Sequence, residues 1–246
     1  MSKSDPLRHV LLAAVLLTRL PLPRLPAEAF ADGARAVWAY PLVGVLVGGV
    51  GAGVGELTLS LGAGISAVAT LAAMIVLTGA MHEDGLADLC DGFWGATAPA
   101  RRLEIMRDSQ IGTYGVLGLG LVTALRGLAI AALGGGLAVV AAAALSRGAM
   151  PALMATLPHA RADGLAHSVG RPSRRTATVA FAIGGAVAIP CAGWTGMVAL
   201  VVVAGVTLGL GALARHKIGG QTGDVLGAAQ QLGEAAALLS LLALAA

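Results

Sequence analysis

The stretch 67–92, "AVATLAAMIVLTGAMHEDGLADLCDG", joins an apolar run directly to a cluster of acidic residues. Residues 67–81 have the composition of a helix that lies in lipid. Residues 82–92 then carry Glu83, Asp84, Asp88 and Asp91. Placing carboxylates at the end of a segment that is apolar enough to lie in a membrane costs free energy. This predicts a functional role for them.

The composition of the whole chain points to an integral membrane protein. Of 246 residues, 57% are hydrophobic and only 12% are charged, whereas a soluble domain has about 25% charged residues. The 36 glycines let membrane helices approach closely. We therefore predict an all-α, polytopic transmembrane helical bundle that forms a single integral membrane domain, 1–246. The net charge of +3 is modest, and we expect no nucleic-acid partner.

Seven apolar stretches approach the roughly 20 residues that a spanning helix needs. Residues 7–20 are too short and end in "TRLPLPRLP", which predicts a re-entrant or interfacial helix, with an eighth span as the alternative. We do not interpret this segment as a cleaved signal peptide, because no small-residue cleavage site precedes its prolines. The predicted spans are 36–55, 61–81, 113–133, 136–151, 176–192, 194–214 and 225–246.

The basic residues orient these spans. All but Arg126 of the 16 lysines and arginines fall in the N-terminal segment or at the loops that follow the second, fourth and sixth spans. The positive-inside rule makes that face cytoplasmic. We predict a multi-pass protein of the bacterial cytoplasmic (inner) membrane, in contact with lipid, with its acidic cluster facing the cytoplasm. A homo-oligomer is compatible with this arrangement.

Three of the four carboxylates share one face if the helix continues through residues 82–92. At 100° per residue, Asp84, Asp88 and Asp91 lie at about 0°, 40° and −20°, and Gly85 and Gly92 flank them. Like charges at this spacing destabilise a helix by about 0.2–0.5 kcal/mol per pair, so the stripe favours a bound cation. A solvated acidic helix end is the alternative. Oxygen ligands suit Mg²⁺, or Mn²⁺, and we assign all three aspartates as metal ligands.

Two further polar stretches supply candidate site residues. "PARRLEIMRDSQIGTYG" predicts a short surface helix, after which Asp108 and Ser109 can cap the next span. The cations there, including Arg107, suit phosphate or anionic lipid. In the stretch "GGQTGDVLGAAQQLGEAA", glycines give the backbone conformational freedom just before a predicted helix N-terminus. Exposed N–H groups at a helix N-terminus favour an anion. We assign Gly220, Thr222, Asp224 and Gln231 there as candidate substrate-binding residues, with an N-cap role as the alternative for Asp224.

Two ionisable residues remain near these stretches. Arg126 lies inside a predicted span, where it either extends to the far interface or reaches inward to an anionic substrate. His82 is a candidate substrate-binding residue, either as a base or as a neighbour of the metal. Its alternative is a simple hydrogen bond to a carboxylate.

Five blocks of the sequence stand out in chain order. They are "TRLPLP" at 18–23, "YPLVG" at 40–44, "HEDGLADLCDGFWG" at 82–95, "IMRDSQIGTYG" at 105–115 and "IGGQTGDVLGA" at 218–228. Together they resemble the cobalamin synthase family, the adenosylcobinamide-GDP ribazoletransferases. The family pattern H-x-D-G-L-A-D is matched with Glu83 at its variable place.

The resemblance implies a magnesium-dependent membrane enzyme with adenosylcobinamide-GDP and α-ribazole, or α-ribazole 5′-phosphate, as substrates. An enzyme of this family is expected to release GMP and to form adenosylcobalamin, or its 5′-phosphate. Displacement at a diphosphate depends on positioning and on charge stabilisation, which suits a metal held by the three aspartates. We therefore expect Arg107 to contact phosphate and Asp108 to act in catalysis as a metal ligand or base.

Two other functions remain as alternatives. A lipid enzyme of the CDP-alcohol phosphotransferase type also uses aspartates on membrane helices, but its D-G-x-x-A-R continuation is absent, since Ala87 is followed by Asp88. An ion-coupled transporter places its ionisable residues near the bilayer midplane on interrupted helices. The predicted position of the acidic cluster, at the cytoplasmic edge beside arginines, favours chemistry on a water-soluble nucleotide.

Overall fold

A computed structural model describes residues 5–23 and 25–245, and in this part of the chain the regular structure is helical. Lys3 and Arg24, which entered the prediction of orientation, lie outside the described residues. Short 3₁₀ turns precede and follow α3. The helices are α1 (Pro6–Leu17), α2 (Gly33–Ala36), α3 (Tyr40–Thr58), α4 (Ala63–Thr78), α5 (Met81–Gly95), α6 (Pro99–Ile105), α7 (Thr113–Leu133), α8 (Leu137–Thr156), α9 (Leu165–Val169), α10 (Arg174–Ala192), α11 (Trp194–Ile218) and α12 (Gly223–Ala243).

The predicted polytopic bundle is confirmed. Six helical stretches among the described residues are long and apolar enough to cross a membrane, and the bent pair of α4 and α5 gives a seventh. The predicted span 113–133 coincides with α7, while the predicted span 136–151 is too short, because α8 continues to Thr156 through Pro151. The predicted short N-terminal helix is α1, which packs on α3.

A sharp break separates α4 from α5. Gly79 and Ala80 both adopt left-handed backbone conformations, and the two helix axes differ in direction by 91°. The side chain of Arg19 covers the break, since a Cβ on Gly79 would lie 2.5 Å from its Nε. The backbone N–H of Arg19 also donates to the carbonyl of Leu77, at 2.8 Å. The "TRLPLP" segment therefore stabilises the bend that sets the direction of α5.

The inner helices of the bundle are α8 and α12, and the small residues on them allow close packing. A Cβ on Gly44 of α3 would lie only 2.3 Å from the carbonyl oxygen of Ala143 on α8. On the other side of α8, a Cβ on Gly148 would lie 2.9 Å from the carbonyl oxygen of Ala180 on α10. Tight backbone contact replaces bulky apolar side chains here, as in other membrane bundles. The helices α5 and α7, which carry or adjoin the acidic cluster, both pack on α12.

Candidate active site

Two glycines bring α5 and α12 into backbone contact. A Cβ on Gly85 would lie 3.0 Å from the Cα of Asp224, and a Cβ on Gly227 would lie 3.2 Å from the Cα of His82. The face of α5 beside the aspartate stripe therefore packs against the first turns of α12. This contact joins two acidic segments that are separated by about 140 residues of sequence.

Substitution at this contact should destabilise the protein. The side chain of Gly85→Val has no space against the backbone of α12, so we expect overpacking to cost about 1–3 kcal/mol and to lower the melting temperature in detergent. Gly53→Val on α3 is the matched control, because nothing lies within 4 Å of its Cβ position. Equal melting temperatures for the two variants would contradict the close contact of α5 with α12.

Two members of the stripe, Asp84 and Asp88, have no partner among the described residues: no hydrogen bond or ion pair reaches either carboxylate. Asp84 is exposed and Asp88 is half-buried. The carboxylates of Asp84, Asp224 and Asp91 repel that of Asp88, and Arg161 is the cation that offsets this repulsion. A pair of unneutralised carboxylates at i and i+4 is a favourable position for a cation.

The third member, Asp91, is directed at α7. Its Oδ2 accepts the N–H of Gly112 at 2.7 Å and its Oδ1 accepts the N–H of Gly115 at 2.8 Å. Neither glycine has room for a Cβ beside this carboxylate. Asp91 therefore caps the N-terminus of α7, and the prediction that Asp108 or Ser109 would do so was wrong. Asp108 instead accepts the N–H of Gln110.

The stripe does not form a three-carboxylate cage. Among residues 5–23 and 25–245, no group of three His, Cys, Asp or Glu side chains is close enough to hold a metal ion. Asp84 and Asp88 remain as available ligands, and Mg²⁺ commonly takes one or two carboxylates together with substrate phosphates. The residues present therefore fit a magnesium ion that shares its coordination with a phosphorylated substrate.

A cavity of about 230 Å³ opens beside Asp84. Residues of α1, α3, α5, α8, α9 and α12 and of the loop before α9 enclose it. Of the predicted site residues, His82, Asp84, Thr222 and Asp224 line this cavity. His82 is buried, and neither of its ring nitrogens has a hydrogen-bond partner among the described residues. It is therefore not held by a carboxylate, which was the alternative for this residue.

Arg161 is the cavity residue that the sequence did not reveal. It is the only lysine or arginine among the described residues that line the cavity. Its guanidinium donates to Asp224 Oδ2 at 3.1 Å, and its buried Nε has no partner in the described chain. Thr222 caps α12 by accepting the N–H of Val225, so the N-cap alternative for Asp224 was wrong.

Gly220 serves the same loop by allowing close packing. A Cβ there would lie 2.2 Å from the carbonyl oxygen of Pro158, and the adjacent residue Gln221 forms a backbone bridge with His159. Gly220 does not line the cavity. Because Gly220 has no side chain, the loop that carries Arg161 can pack directly against the start of α12.

Arg107 and Asp108 lie outside the cavity. Arg107 donates to both carboxylate oxygens of Asp163, at 2.5 and 2.7 Å, and this pair is exposed. Because Asp163 lines the cavity, the pair ties the loop after α6 to the cavity wall. Asp108 lines a separate surface depression of about 400 Å³ together with Asp91. The structure thus places His82, Asp84, Thr222 and Asp224 at the cavity and Asp91 and Asp108 at a second depression, whereas the other predicted site residues line neither.

Gln231 and Arg126 belong to a buried polar network. Arg126 donates to Glu83 at 3.3 Å and to Gln231 and Glu234 at 2.5 Å, and Arg147 donates to Glu234 at 3.3 Å. Arg126 is 1% exposed, so the prediction that it extends to the far interface was wrong. Arg147, counted above as a loop residue, lies within α8 and is also buried. Gln231 does not reach the cavity.

The comparisons with known proteins agree with the sequence resemblance. The family model described as cobalamin-5-phosphate synthase matches residues 9–242. The chain is 44% identical to the adenosylcobinamide-GDP ribazoletransferase of Bradyrhizobium diazoefficiens, over 93% of this chain and 90% of the relative. It is 42% identical to the protein of the same name from Mesorhizobium japonicum, over 97% and 94% of the two chains. No solved structure matches the chain. The chain belongs to the cobalamin-5-phosphate synthase family.

Proposed function

We propose that this protein transfers the cobinamide-phosphate group of adenosylcobinamide-GDP to α-ribazole, or to α-ribazole 5′-phosphate, with release of GMP. The names of its relatives support this substrate pair. The observation that carries the proposal is a pair of carboxylates, Asp84 and Asp88, without a partner among the described residues, of which Asp84 lines a cavity together with Arg161. Neither a transporter nor a CDP-alcohol enzyme is favoured by an observation of comparable weight.

Asp84 and Asp88 are the residues that would hold Mg²⁺. When bound, the ion supplies positive charge to the diphosphate oxygens and acidifies the attacking hydroxyl. Asp224 lies across the α5–α12 contact and is held by Arg161 and Thr222. Asp91 stays a predicted ligand, although its carboxylate already accepts two backbone N–H groups.

The chain's own groups position the reactants. Arg161 has an unpartnered Nε and can donate to phosphate oxygens, a geometry to which the guanidinium fork is suited. His82 lines the cavity, and its two buried ring nitrogens have no partner among the described residues; we propose that it turns one of them to the ribazole hydroxyl. These donors and acceptors are fixed by packing before the substrate binds, which is the usual source of electrostatic stabilisation.

The proposed transfer is a displacement at phosphorus. The hydroxyl oxygen of ribazole forms a bond to the phosphorus attached to cobinamide, and the bond from that phosphorus to the oxygen it shares with GMP breaks. GMP leaves with the bonding electron pair. The hydroxyl proton passes to a base at the cavity, and we propose His82, which lines it, for this role.

We propose the cytoplasmic membrane of a bacterium as the location, with the cavity open to the cytoplasm. The loop after α8 and the first turn of α12 supply much of the polar wall of the cavity. Both belong to the side of the bundle on which the sequence concentrates its basic residues. The positive-inside rule places that side in the cytoplasm, where the nucleotide substrate is dissolved.

The activity can be tested with purified protein in liposomes. We expect GMP release and a cobalamin product only when adenosylcobinamide-GDP, α-ribazole and Mg²⁺ are all present, with loss of both products on chelation and recovery on adding Mg²⁺. Arg161→Ala should slow the reaction, whereas Arg101→Ala should not, because Arg101 is exposed and pairs only with Glu104 among the described residues. No GMP release by intact protein would refute the proposed function.

A further inference from the structure

The cavity beside Asp84 has two chemically distinct parts. Its polar groups come from α5, α12 and the loop before α9, and include Asp84, Arg161 and Asp224. Its apolar side chains come mainly from α1, α8, α9 and α12. Met150 and Met154 are four residues apart, on one face of α8, and both are buried. The apolar wall includes Leu17, Met150, Met154, Leu165, Val169 and Leu226.

The volume of the cavity limits what can enter it. At about 230 Å³, it is smaller than the roughly 300–1,000 Å³ of sites that enclose drug-sized ligands. A single nucleoside base with its sugar at the mouth fits this space. A corrin ring with its side chains does not, so the cobinamide part of the donor must remain outside.

Two aromatic bases take part in the proposed reaction, and their chemistry distinguishes them. Guanine carries acceptors at N7 and O6 and a donor at N2, and each would need a partner if it were buried. The dimethylbenzimidazole base of ribazole has two methyl groups and one free ring nitrogen. A wall of leucine, valine and methionine side chains suits the second base, and methionine sulfur also packs favourably against aromatic rings.

One hydroxyl interrupts the apolar wall. Tyr40, at the start of α3, lines the cavity and is 3% exposed, and its hydroxyl makes no hydrogen bond to any described residue. A buried phenol normally has a hydrogen-bond partner. The free ring nitrogen of a benzimidazole is an acceptor and supplies the one partner that this hydroxyl lacks.

We infer that the cavity is the binding site of the incoming nucleoside, with its benzimidazole base between Met150, Met154 and Leu226 and its ring nitrogen bonded to the hydroxyl of Tyr40. The ribose then lies at the polar side, beside Asp84 and Arg161. This inference rests on the proposed function and adds to it which substrate occupies which part of the site. The guanosine and the corrinoid bind outside the cavity.

Two variants test this assignment by their Michaelis constants. Met154→Trp fills the apolar part, so we expect the KM for α-ribazole to rise at least about tenfold while the KM for adenosylcobinamide-GDP changes less than about twofold. Tyr40→Phe removes one hydrogen bond, for which about 2- to 12-fold in the KM for α-ribazole is expected. Met197→Trp, on the exposed surface of α11, is the control and should alter neither constant.

A second readout does not depend on turnover. Binding of α-ribazole alone to the purified protein, followed by calorimetry, should weaken in Met154→Trp and Tyr40→Phe and not in Met197→Trp. A rise in the KM for the GDP substrate alone would place guanine in the cavity and overturn the inference. Unchanged constants and unchanged binding in both variants would also overturn it. If the unaltered protein releases no GMP, the proposed function itself fails, and the binding measurement still decides the occupant of the cavity.

Discussion

Asp84→Asn is expected to lower the rate of GMP release by about 10²–10³-fold or more, the effect of removing one preorganised electrostatic group from a reacting site. Asp84 is exposed, lines the cavity and has no partner in the described chain. Its charge therefore contributes little to the fold and is available for a cation. The melting temperature in detergent should stay within a degree or two of the unaltered protein, and the Mg²⁺ concentration for half-maximal rate should rise.

Asp91→Asn provides the contrast on the same helix face. Asp91 accepts two backbone N–H groups at the start of α7, so its loss should cost about 1–3 kcal/mol of unfolding free energy as well as activity. The sequence alone predicts identical behaviour for the two aspartates. Equal stability losses in both variants, or a normal rate in Asp84→Asn, would show that the structural division of the stripe is incorrect.

The helical architecture was predictable because hydrophobic length is a strong signal. Six predicted spans end within a few residues of the observed helices, and the short helix at 99–105 begins at Pro99 as expected. The break between α4 and α5 was not predicted. It depends on Ala80 in a left-handed conformation that alanine rarely adopts. The distant Arg19 packs against the neighbouring Gly79, and no local sequence pattern indicates such a contact.

The candidate site was predictable only in part. The aspartate stripe and the glycine-flanked Asp224 follow from helical spacing, and the structure brings Asp84, Asp88 and Asp224 together. Arg161 was missed because its partner is 63 residues away and its loop has no regular period. The buried network could have been predicted from Arg126. An arginine inside a membrane span requires an acidic partner at a similar depth, and Glu83 and Glu234, which lie next to or within apolar segments, are such partners.

Glu234→Leu is expected to be the most destabilising substitution among these residues. Glu234 is 1% exposed and accepts from both Arg126 and Arg147, through one carboxylate oxygen each. Without it, Glu83 is the one counter-charge that the described part of the chain leaves to two buried guanidinium groups. Breaking a buried pair in this way costs about 3–5 kcal/mol. Unfolding of the protein in mixed micelles with increasing sodium dodecyl sulfate would measure the loss.

Charge balance, rather than the mere presence of polar side chains, should explain this loss. The network contains two arginines and two glutamates, so adding Arg147→Met to Glu234→Leu restores neutrality and should recover much of the stability. Glu104→Leu is the control, because it removes an acid from an exposed pair and should cost at most about 1 kcal/mol. If the double variant were less stable than Glu234→Leu alone, charge neutrality would not be what the network supplies. Since Glu83 precedes Asp84 on α5, a neutral network also fixes the helix that carries the proposed metal ligands.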